Sequence, residues 1–211
     1  MRFDTIWAIS NHAELLIRRP QEPLACKSGQ YILTAVNRMA GLVDDVMDFA
    51  RGRMGAGIAL SIVPHSAIGQ AVEDVIMELR VSHPDHVLQT EIAAAIPPVP
   101  CDLPRVQQVV SNLVGNALLY GTRAAPVRVT VSHTDACLEI AVWNGGAAID
   151  AEAQMKMFDP YWRASEQDAS GGLGLGLFIC SQIVNAHRGS IDLTSTEEAG
   201  TTFLVRLPLH A

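Results

Sequence analysis

A glycine-rich segment in the C-terminal third of the chain constrains the fold most. Residues 171–180 are Gly-Gly-Leu-Gly-Leu-Gly-Leu-Phe-Ile-Cys, so glycines alternate with leucines until the pattern becomes helical. Glycine adopts backbone angles closed to other residues and lets a ligand approach the main chain closely. A helix N-terminus presents unpaired N–H groups, which suit phosphate. The segment therefore predicts either a phosphate-binding turn or a flexible surface loop, and its context must separate the two.

A second segment, residues 105–121, predicts a helix that carries two asparagines on one face. Asn112 and Asn116 lie four residues apart, one turn from each other. Asparagine prefers caps and turns to helix interiors. Either both side chains bond to nearby loops, or Asn116 offers its carbonyl oxygen to Mg²⁺, a cation that takes oxygen ligands and bridges phosphates. The apolar residues that recur at helical spacing are Val106, Val109, Val110, Leu113, Ala117 and Tyr120.

Three more segments accompany the glycine-rich segment and the asparagine helix. Residues 140–149 form a strand-like run that ends in an Asn-Gly-Gly turn, residues 157–163 are Met-Phe-Asp-Pro-Tyr-Trp-Arg, and residues 189–207 form two closing strands. In this order the five segments resemble the ATP-binding domain of bacterial sensor histidine kinases, in the superfamily that also holds gyrase, Hsp90 and MutL. The resemblance runs from about residue 60 to the end. It implies an α+β protein whose larger part is a two-layer α/β sandwich.

The resemblance implies a site for ATP and Mg²⁺. Asn116 matches the family's magnesium-binding asparagine, and Asn112 matches the one a turn earlier. In the ATPase branch of the superfamily a glutamate stands at the place of Asn112 and activates water. Because asparagine cannot take a proton, simple ATP hydrolysis is disfavoured. Many family members carry a basic residue at the position of Leu119, where it touches phosphate, so the affinity of this site is expected to be lower.

To bind the adenine base, the family uses an aspartate that accepts a hydrogen bond from the adenine amino group. This chain has Asn144 at that position. The amide oxygen can also accept, as a weaker neutral acceptor, and some relatives of bacterial phytochromes look similar at this turn. Gly146 lets the backbone pass close to the base, and Ala148 stands where a glycine is usual. Thr201 matches a threonine that supports adenine through water.

At the phosphates, Gly172, Gly174 and Gly176 are expected to give backbone N–H groups. Arg163 matches a basic residue at the start of a mobile lid, residues 164–170, or else is an exposed surface arginine. The full set that the resemblance assigns to ATP is Asn112, Asn116, Tyr120, Asn144, Gly146, Arg163, Gly172, Gly174, Leu175, Gly176 and Thr201.

Residues 1–57 predict a separate helical hairpin, followed by the nucleotide domain at 58–211. Helices are predicted at about 6–19 and 28–53, with Pro20 and Pro23 interrupting between them and Gly52, Gly55 and Gly57 marking a hinge. The second helix has an apolar face too broad for one hairpin to bury. Two hairpins in a homodimer would bury it in a four-helix bundle. Packing of the hairpin on its own nucleotide domain is the alternative.

The remaining elements predict a mixed sheet with its helices on one face. Strands are expected near 60–63, 87–92, 126–132 and 136–143. Helices are expected at 65–80 and 151–157, and a proline-rich turn at 97–100.

The family's phosphoacceptor string, His-Asp/Glu-Leu-Arg-x-Pro-Leu, is absent. Either the chain begins after the acceptor or the acceptor has been lost. His12 is a weak candidate, because Ala13 stands where an acid is normally adjacent, and a solvated helix histidine is the better interpretation.

Composition excludes other classes of function. The net charge of −7 argues against nucleic-acid binding. No apolar run reaches the roughly 18 residues needed to cross a bilayer, and the first residues lack a signal-peptide core, so a cytosolic protein is expected. The four cysteines form no CxxC pair and the seven histidines no zinc pattern.

Three functions follow from these observations. The first is a histidine kinase core that passes the γ-phosphoryl of ATP to a histidine in a partner or in a longer form of the chain, with response regulators as further partners. The second is a pseudokinase or phosphotransfer-type adaptor that docks response regulators. The third, a serine kinase of the anti-sigma type, is disfavoured by the hairpin.

Overall fold

The computed structural model describes residues 3–18, 23–53, 58–163 and 173–210. The chain divides into two compact units, Met1–Asp48 and Phe49–Ala211. The expected lid at 164–170, Gly172, Pro20 and the hinge glycines at 55 and 57 lie outside the described residues.

The first unit contains helix α1, Phe3–Ile17, and most of helix α2, Pro23–Arg53. The two helices approach closely at Gly29, where an added Cβ would lie 2.7 Å from the carbonyl oxygen of Ala13. Helix α2 begins at Pro23, five residues before the expected start near residue 28. Proline suits the first position of a helix, since its fixed φ is helical and the missing N–H has no partner there anyway.

The second unit begins with strand β1 (Val63–His65), helix α3 (Ile68–Ser82), and strands β2 (Leu88–Ile92) and β3 (Val99–Cys101). Helix α4 (Leu103–Tyr120) follows, then strands β4 (Val127–His133) and β5 (Cys137–Asn144) and helix α5 (Ala151–Lys156). Helix α6 (Gly176–Ala186) and strands β6 (Ser190–Thr196) and β7 (Gly200–Pro208) complete the unit.

A five-stranded mixed sheet forms one layer of this unit, in the order β2-β4-β5-β7-β6. The β2–β4 pair is parallel, and the other pairs are antiparallel. Side chains alternate between a buried and a more open face, as in β5, where Leu138, Ile140 and Val142 are buried. Helices α3, α4 and α6 contact the strands and share the core with them. The expected two-layer α/β sandwich is confirmed.

The region expected to be a proline-rich turn contains strand β3, so that prediction was wrong. β3 pairs antiparallel with β1, in a register that sets Val63 opposite Cys101 and Pro64 opposite Pro100. Proline cannot donate to a ladder, and it is tolerated on edge strands. Both strands of a two-stranded ribbon are edges, which explains how two prolines can face each other. The same pairing shifts the first strand to Val63–His65 from the expected 60–63.

A buried histidine joins the start of α4 to the end of α6. Nε2 of His187 lies 3.0 Å from the backbone nitrogen of Asp102, and Nδ1 lies 2.8 Å from the carbonyl oxygen of Ile183. Because the Asp102 N–H can only donate, Nε2 must accept, and Nδ1 therefore carries the proton. The Asp102 carboxylate caps α4 by accepting from the backbone N–H of Arg105, and it also accepts from the backbone N–H of Ser61. The two bonds of His187 hold the start of α4 beside the end of α6.

Candidate functional site

Asn144 closes strand β5 at one end of the candidate site. Its residue surface is only 6% exposed, and it pairs in register with Thr201 on β7. The amide nitrogen lies 3.2 Å from the carbonyl oxygen of Gly145, to which it donates. This orientation leaves the amide oxygen as the group that can accept from a ligand.

A chain of hydrogen bonds fixes the hydroxyl of Thr201. The backbone N–H of Ile149 donates to Ser195 Oγ at 2.9 Å, and Ser195 Oγ lies 2.7 Å from Thr201 Oγ1. Either hydroxyl can donate in this second bond, and when Ser195 donates, the proton of Thr201 is available to another acceptor. Sequence reasoning missed Ser195, because only the β6–β7 register reveals its contact with Thr201.

The turn after β5 approaches the end of α4 closely. Gly146 has φ +149°, and a Cβ there would lie 3.4 Å from the carbonyl oxygen of Tyr120. The Thr122 N–H donates to Gly145 at 2.8 Å. An added Cβ on Gly121 would lie 3.2 Å from Cβ of Asn144. The sequence did not single out Gly121, since its contact arises only when α4 and β5 meet.

A left-handed backbone junction lies at the other end of the site. Gly174 has φ +69°, and Tyr161 has φ 65°, a value uncommon for a residue with a side chain. The Tyr161 N–H donates to the carbonyl oxygen of Gly174 at 3.0 Å. A Cβ on Gly174 would meet the carbonyl oxygen of Trp162 at 2.7 Å. Glycine is required here by both the backbone angle and the space.

The side chain of Arg163 passes along this junction. Its Cγ lies 3.1 Å from where a Cβ of Gly174 would stand. Its Nη2 atom is buried and has no hydrogen-bond partner among the described residues. Buried polar atoms in folded proteins are nearly always paired, so an orphaned guanidinium nitrogen points to an absent anion.

Helix α6 begins at Gly176, beside the first asparagine of α4. Asn112 Nδ2 donates to the carbonyl oxygen of Gly176 at 3.3 Å, and a Cβ on Gly176 would lie 3.6 Å from Cγ of Asn112. The side chain of Leu175 is buried in the core, which leaves its main chain as the part that can face a ligand. The structure thus brings Gly174, Gly176, Asn112 and Arg163 together.

Helix α4 spans the distance between the two ends of the site. Nine residues separate Asn112 from Gly121, which at 1.5 Å per residue is about 13 Å along the axis. Asn116 is partly buried one turn beyond Asn112, and Leu119 and Tyr120 are exposed, unlike the other apolar residues expected on this helix. An added Cβ on Gly115 would meet nothing within 4 Å. The helix therefore has open space beside Gly115, between the two ends of the candidate site.

The side chains of the site suit a magnesium ion that takes most of its ligands from substrate phosphates and water. Within the described part of the chain, no group of three or more His, Cys, Asp or Glu side chains could hold a metal. Mg²⁺ usually keeps several waters and takes few protein ligands beside substrate phosphates. The Asn116 amide oxygen is a suitable single ligand of this kind.

The weak acceptor candidate His12 is exposed on α1. The adjacent Ala13 is buried. The next acid is Glu14, whose Oε2 lies 3.9 Å from Nη2 of Arg18.

None of the described helices is long and apolar enough to span a bilayer.

Residues 101–211 match the model of the histidine kinase-, DNA gyrase B- and HSP90-like ATPases. The chain belongs to this family. The matched segment begins at the last residue of β3 and includes every residue that the sequence analysis assigned to ATP. The resemblance inferred from the five sequence segments is confirmed: this is a sensor histidine kinase ATP-binding core of the family's fold.

Curated relatives are histidine kinases and phytochromes. The Bacteriophytochrome of Pseudomonas aeruginosa is 32% identical over 186 residues, which cover 86% of this chain and 25% of that protein. The probable sensor histidine kinase TcrY of Mycobacterium tuberculosis is 31% identical over 205 residues, which cover 96% of this chain and 42% of that protein. The chain therefore spans less than half the length of these relatives.

Solved structures agree on the fold. The nucleotide-free catalytic domain of histidine kinase ThkA matches with a TM-score of 0.60 and 25% identity, covering 71% of this chain and 96% of that one. Full-length ShkA in complex with AMPPNP matches with a TM-score of 0.71 and 23% identity, covering 99% of this chain and 44% of that one. The chain is thus a histidine kinase-type catalytic domain of the kind used in two-component systems.

Proposed function

We propose that this chain binds Mg-ATP in its second unit and transfers the γ-phosphoryl group to a histidine. The observation that carries this proposal is the buried, unpartnered Nη2 of Arg163, whose side chain passes the left-handed turn at Gly174 with its Cγ. A guanidinium nitrogen without a partner belongs to the side chain that passes this glycine, and the start of α6 follows the glycine by two residues. Together they suit the terminal phosphates of a nucleotide.

Each residue has a separate task in this proposal. The backbone around Gly174, Leu175 and Gly176 donates N–H groups to the β- and γ-phosphates, and Arg163 adds positive charge. Asn116 holds the magnesium ion, which neutralises phosphate charge when bound. Asn144 and Thr201 hold the base. Phosphoryl transfer requires mainly positioning and charge neutralisation, which these groups supply.

The position of Asn112 favours transfer over hydrolysis. Its amide nitrogen donates to Gly176, so the side chain supports the start of α6. An amide cannot accept a proton from water at neutral pH. We therefore expect slow hydrolysis and transfer to a protein acceptor, with the reaction in the cytoplasm, where ATP is available.

The acceptor histidine is proposed to come from a partner protein or from a longer form of this chain, since the phosphoacceptor string is absent here. A response regulator would then take the phosphoryl group on an aspartate. The catalytically impaired adaptor remains the competing function, and the binding experiment below separates the two.

The first unit is proposed to form a homodimer. Large apolar side chains are exposed on both of its helices, although two helices normally bury such residues against each other or against a partner. A second hairpin would cover them in a four-helix bundle. The exposed residues are Ile9, Leu15, Leu24, Tyr31, Ile32, Met39, Val43, Val46 and Met47.

Equilibrium binding of ATP, measured by calorimetry with Mg²⁺ and with EDTA, tests the proposal. Asn116→Ala should weaken magnesium-dependent binding at least tenfold, about 1.4 kcal/mol. Asn185→Ala is the matched control, because it removes an exposed asparagine from α6. No binding to the wild type at millimolar ATP would contradict the kinase and favour the adaptor.

A further inference from the structure

Asn144 presents both a donor and an acceptor where the proposed base would lie. An amide carries a carbonyl oxygen on one side and an NH₂ group on the other. At 6% exposure, it is buried at the end of β5, opposite Thr201. In the observed orientation the nitrogen donates to Gly145 and the oxygen can accept. This orientation suits a purine with an amino group at position 6.

A half-turn of the same amide reverses its hydrogen-bonding character. The nitrogen would then face the ligand and could donate to a purine that has an oxygen at position 6. The turn costs the hydrogen bond to Gly145, which at 3.2 Å is long. It also brings the amide oxygen towards the Gly145 carbonyl oxygen, and a buried polar group left without a partner shifts an equilibrium by roughly 5- to 150-fold. The amide can therefore meet both purine types, with a penalty of up to about a hundredfold for the 6-oxopurine.

The neighbouring hydroxyl groups help either orientation. Ser195 Oγ accepts from Ile149, and either hydroxyl can donate in its bond with Thr201. When Ser195 donates, Thr201 retains a proton that can be donated elsewhere. Register partners on antiparallel strands have Cβ atoms about 5 Å apart, which keeps Thr201 beside Asn144. Its proton can serve the Asn144 oxygen after the half-turn, directly or through a water molecule.

We infer that the nucleotide site accepts 6-oxopurine triphosphates as well as ATP, because residue 144 is an amide. The inference rests on the proposed function, since it concerns the base of the same nucleotide. A carboxylate at this position could only accept, and it would face the oxygen of a 6-oxopurine with no proton to share. Sites with an unpaired buried polar group reject such ligands strongly.

The test compares magnesium complexes of ATP, inosine triphosphate and purine riboside triphosphate, which has hydrogen at position 6. For the wild-type chain, we expect inosine triphosphate to bind within about a hundredfold of ATP and more tightly than the unsubstituted analogue. A wild type that binds inosine triphosphate more than a hundredfold more weakly than ATP, or no better than the unsubstituted analogue, overturns the inference. This comparison needs no variant.

A variant then assigns the effect to residue 144. Asn144→Asp should raise the preference for ATP over inosine triphosphate at least tenfold above the wild-type ratio, whereas Asn144→Ala should bring the ratio close to one. Thermal unfolding of each variant confirms that it is folded. An unchanged ratio in folded Asn144→Asp contradicts the role of the amide. Binding of ATP without inosine triphosphate leaves the proposed function intact, whereas binding of neither contradicts both.

Discussion

Replacing Gly174 by alanine should destabilise the chain strongly, whereas the same change at Gly176 should not. Gly174 has φ +69°, an angle that costs an L-residue about 1–2 kcal/mol. Its new Cβ would also lie 2.7 Å from the Trp162 oxygen and 3.0 Å from the Tyr161 carbonyl carbon. Both atoms are backbone, so the chain must move and weaken the Tyr161 N–H bond to Gly174. We expect a total loss of about 3 kcal/mol.

Gly176 is the matched control for this substitution. It stands at the start of α6, and its Cβ would make only ordinary contact with Asn112, at 3.6 Å. Alanine is favoured over glycine in helices by up to about 1 kcal/mol. Gly176→Ala should therefore be neutral or slightly stabilising.

Urea unfolding followed by circular dichroism measures both variants. A loss of about 3 kcal/mol corresponds to a fall in Tm of roughly 6–12 °C for a protein of this size. Equal stability of Gly174→Ala and Gly176→Ala would refute the reasoning from backbone angle and space.

Three further predictions concern helix α4 and the residues that precede it or contact its start. Gly115→Ala should stabilise the chain by up to about 1 kcal/mol in urea unfolding, because its Cβ enters open space on α4; a loss of stability would show that the space is needed. His187→Phe should destabilise it by about 1–3 kcal/mol by leaving the Asp102 N–H unpaired, and a neutral result would contradict the bond between α4 and α6. Burial, with Asp102 beside it, raises the pKa of the Cys101 thiol from 9.0 to about 11. The folded state then keeps a proton that the unfolded state loses, so the unfolding free energy should fall between pH 9 and 11 by up to about 1.4 kcal/mol per unit; Cys101→Ala should flatten this slope, and an unchanged slope would contradict the assignment.

The strands and helices of the second unit could largely be predicted from sequence periodicity. Alternation in β5 and the 3.6-residue period of α4 both reflect a single buried face, which a local pattern records directly. Strand β3 was missed because its proline indicates a turn, and only pairing with β1 reveals a ribbon. The start of α2 was missed because proline both ends helices and begins them.

Part of the candidate site could also be predicted, but only through the resemblance to a family. Asn112 and Gly176 lie 64 residues apart in sequence, and no local pattern states that they share a hydrogen bond. The contacts of Ser195 with Thr201 and of Gly121 with Asn144 likewise depend on strand register and helix packing. The unpartnered nitrogen of Arg163 is a property of the folded chain alone.

A crystal structure of this chain with Mg²⁺ and a non-hydrolysable ATP analogue tests the central claim most directly. The account predicts phosphate oxygens within hydrogen-bond distance of the backbone nitrogens at 174–176 and of Arg163 Nη2, with the metal on the Asn116 oxygen. A nucleotide bound elsewhere, or phosphates that leave Arg163 Nη2 without a partner, would contradict it.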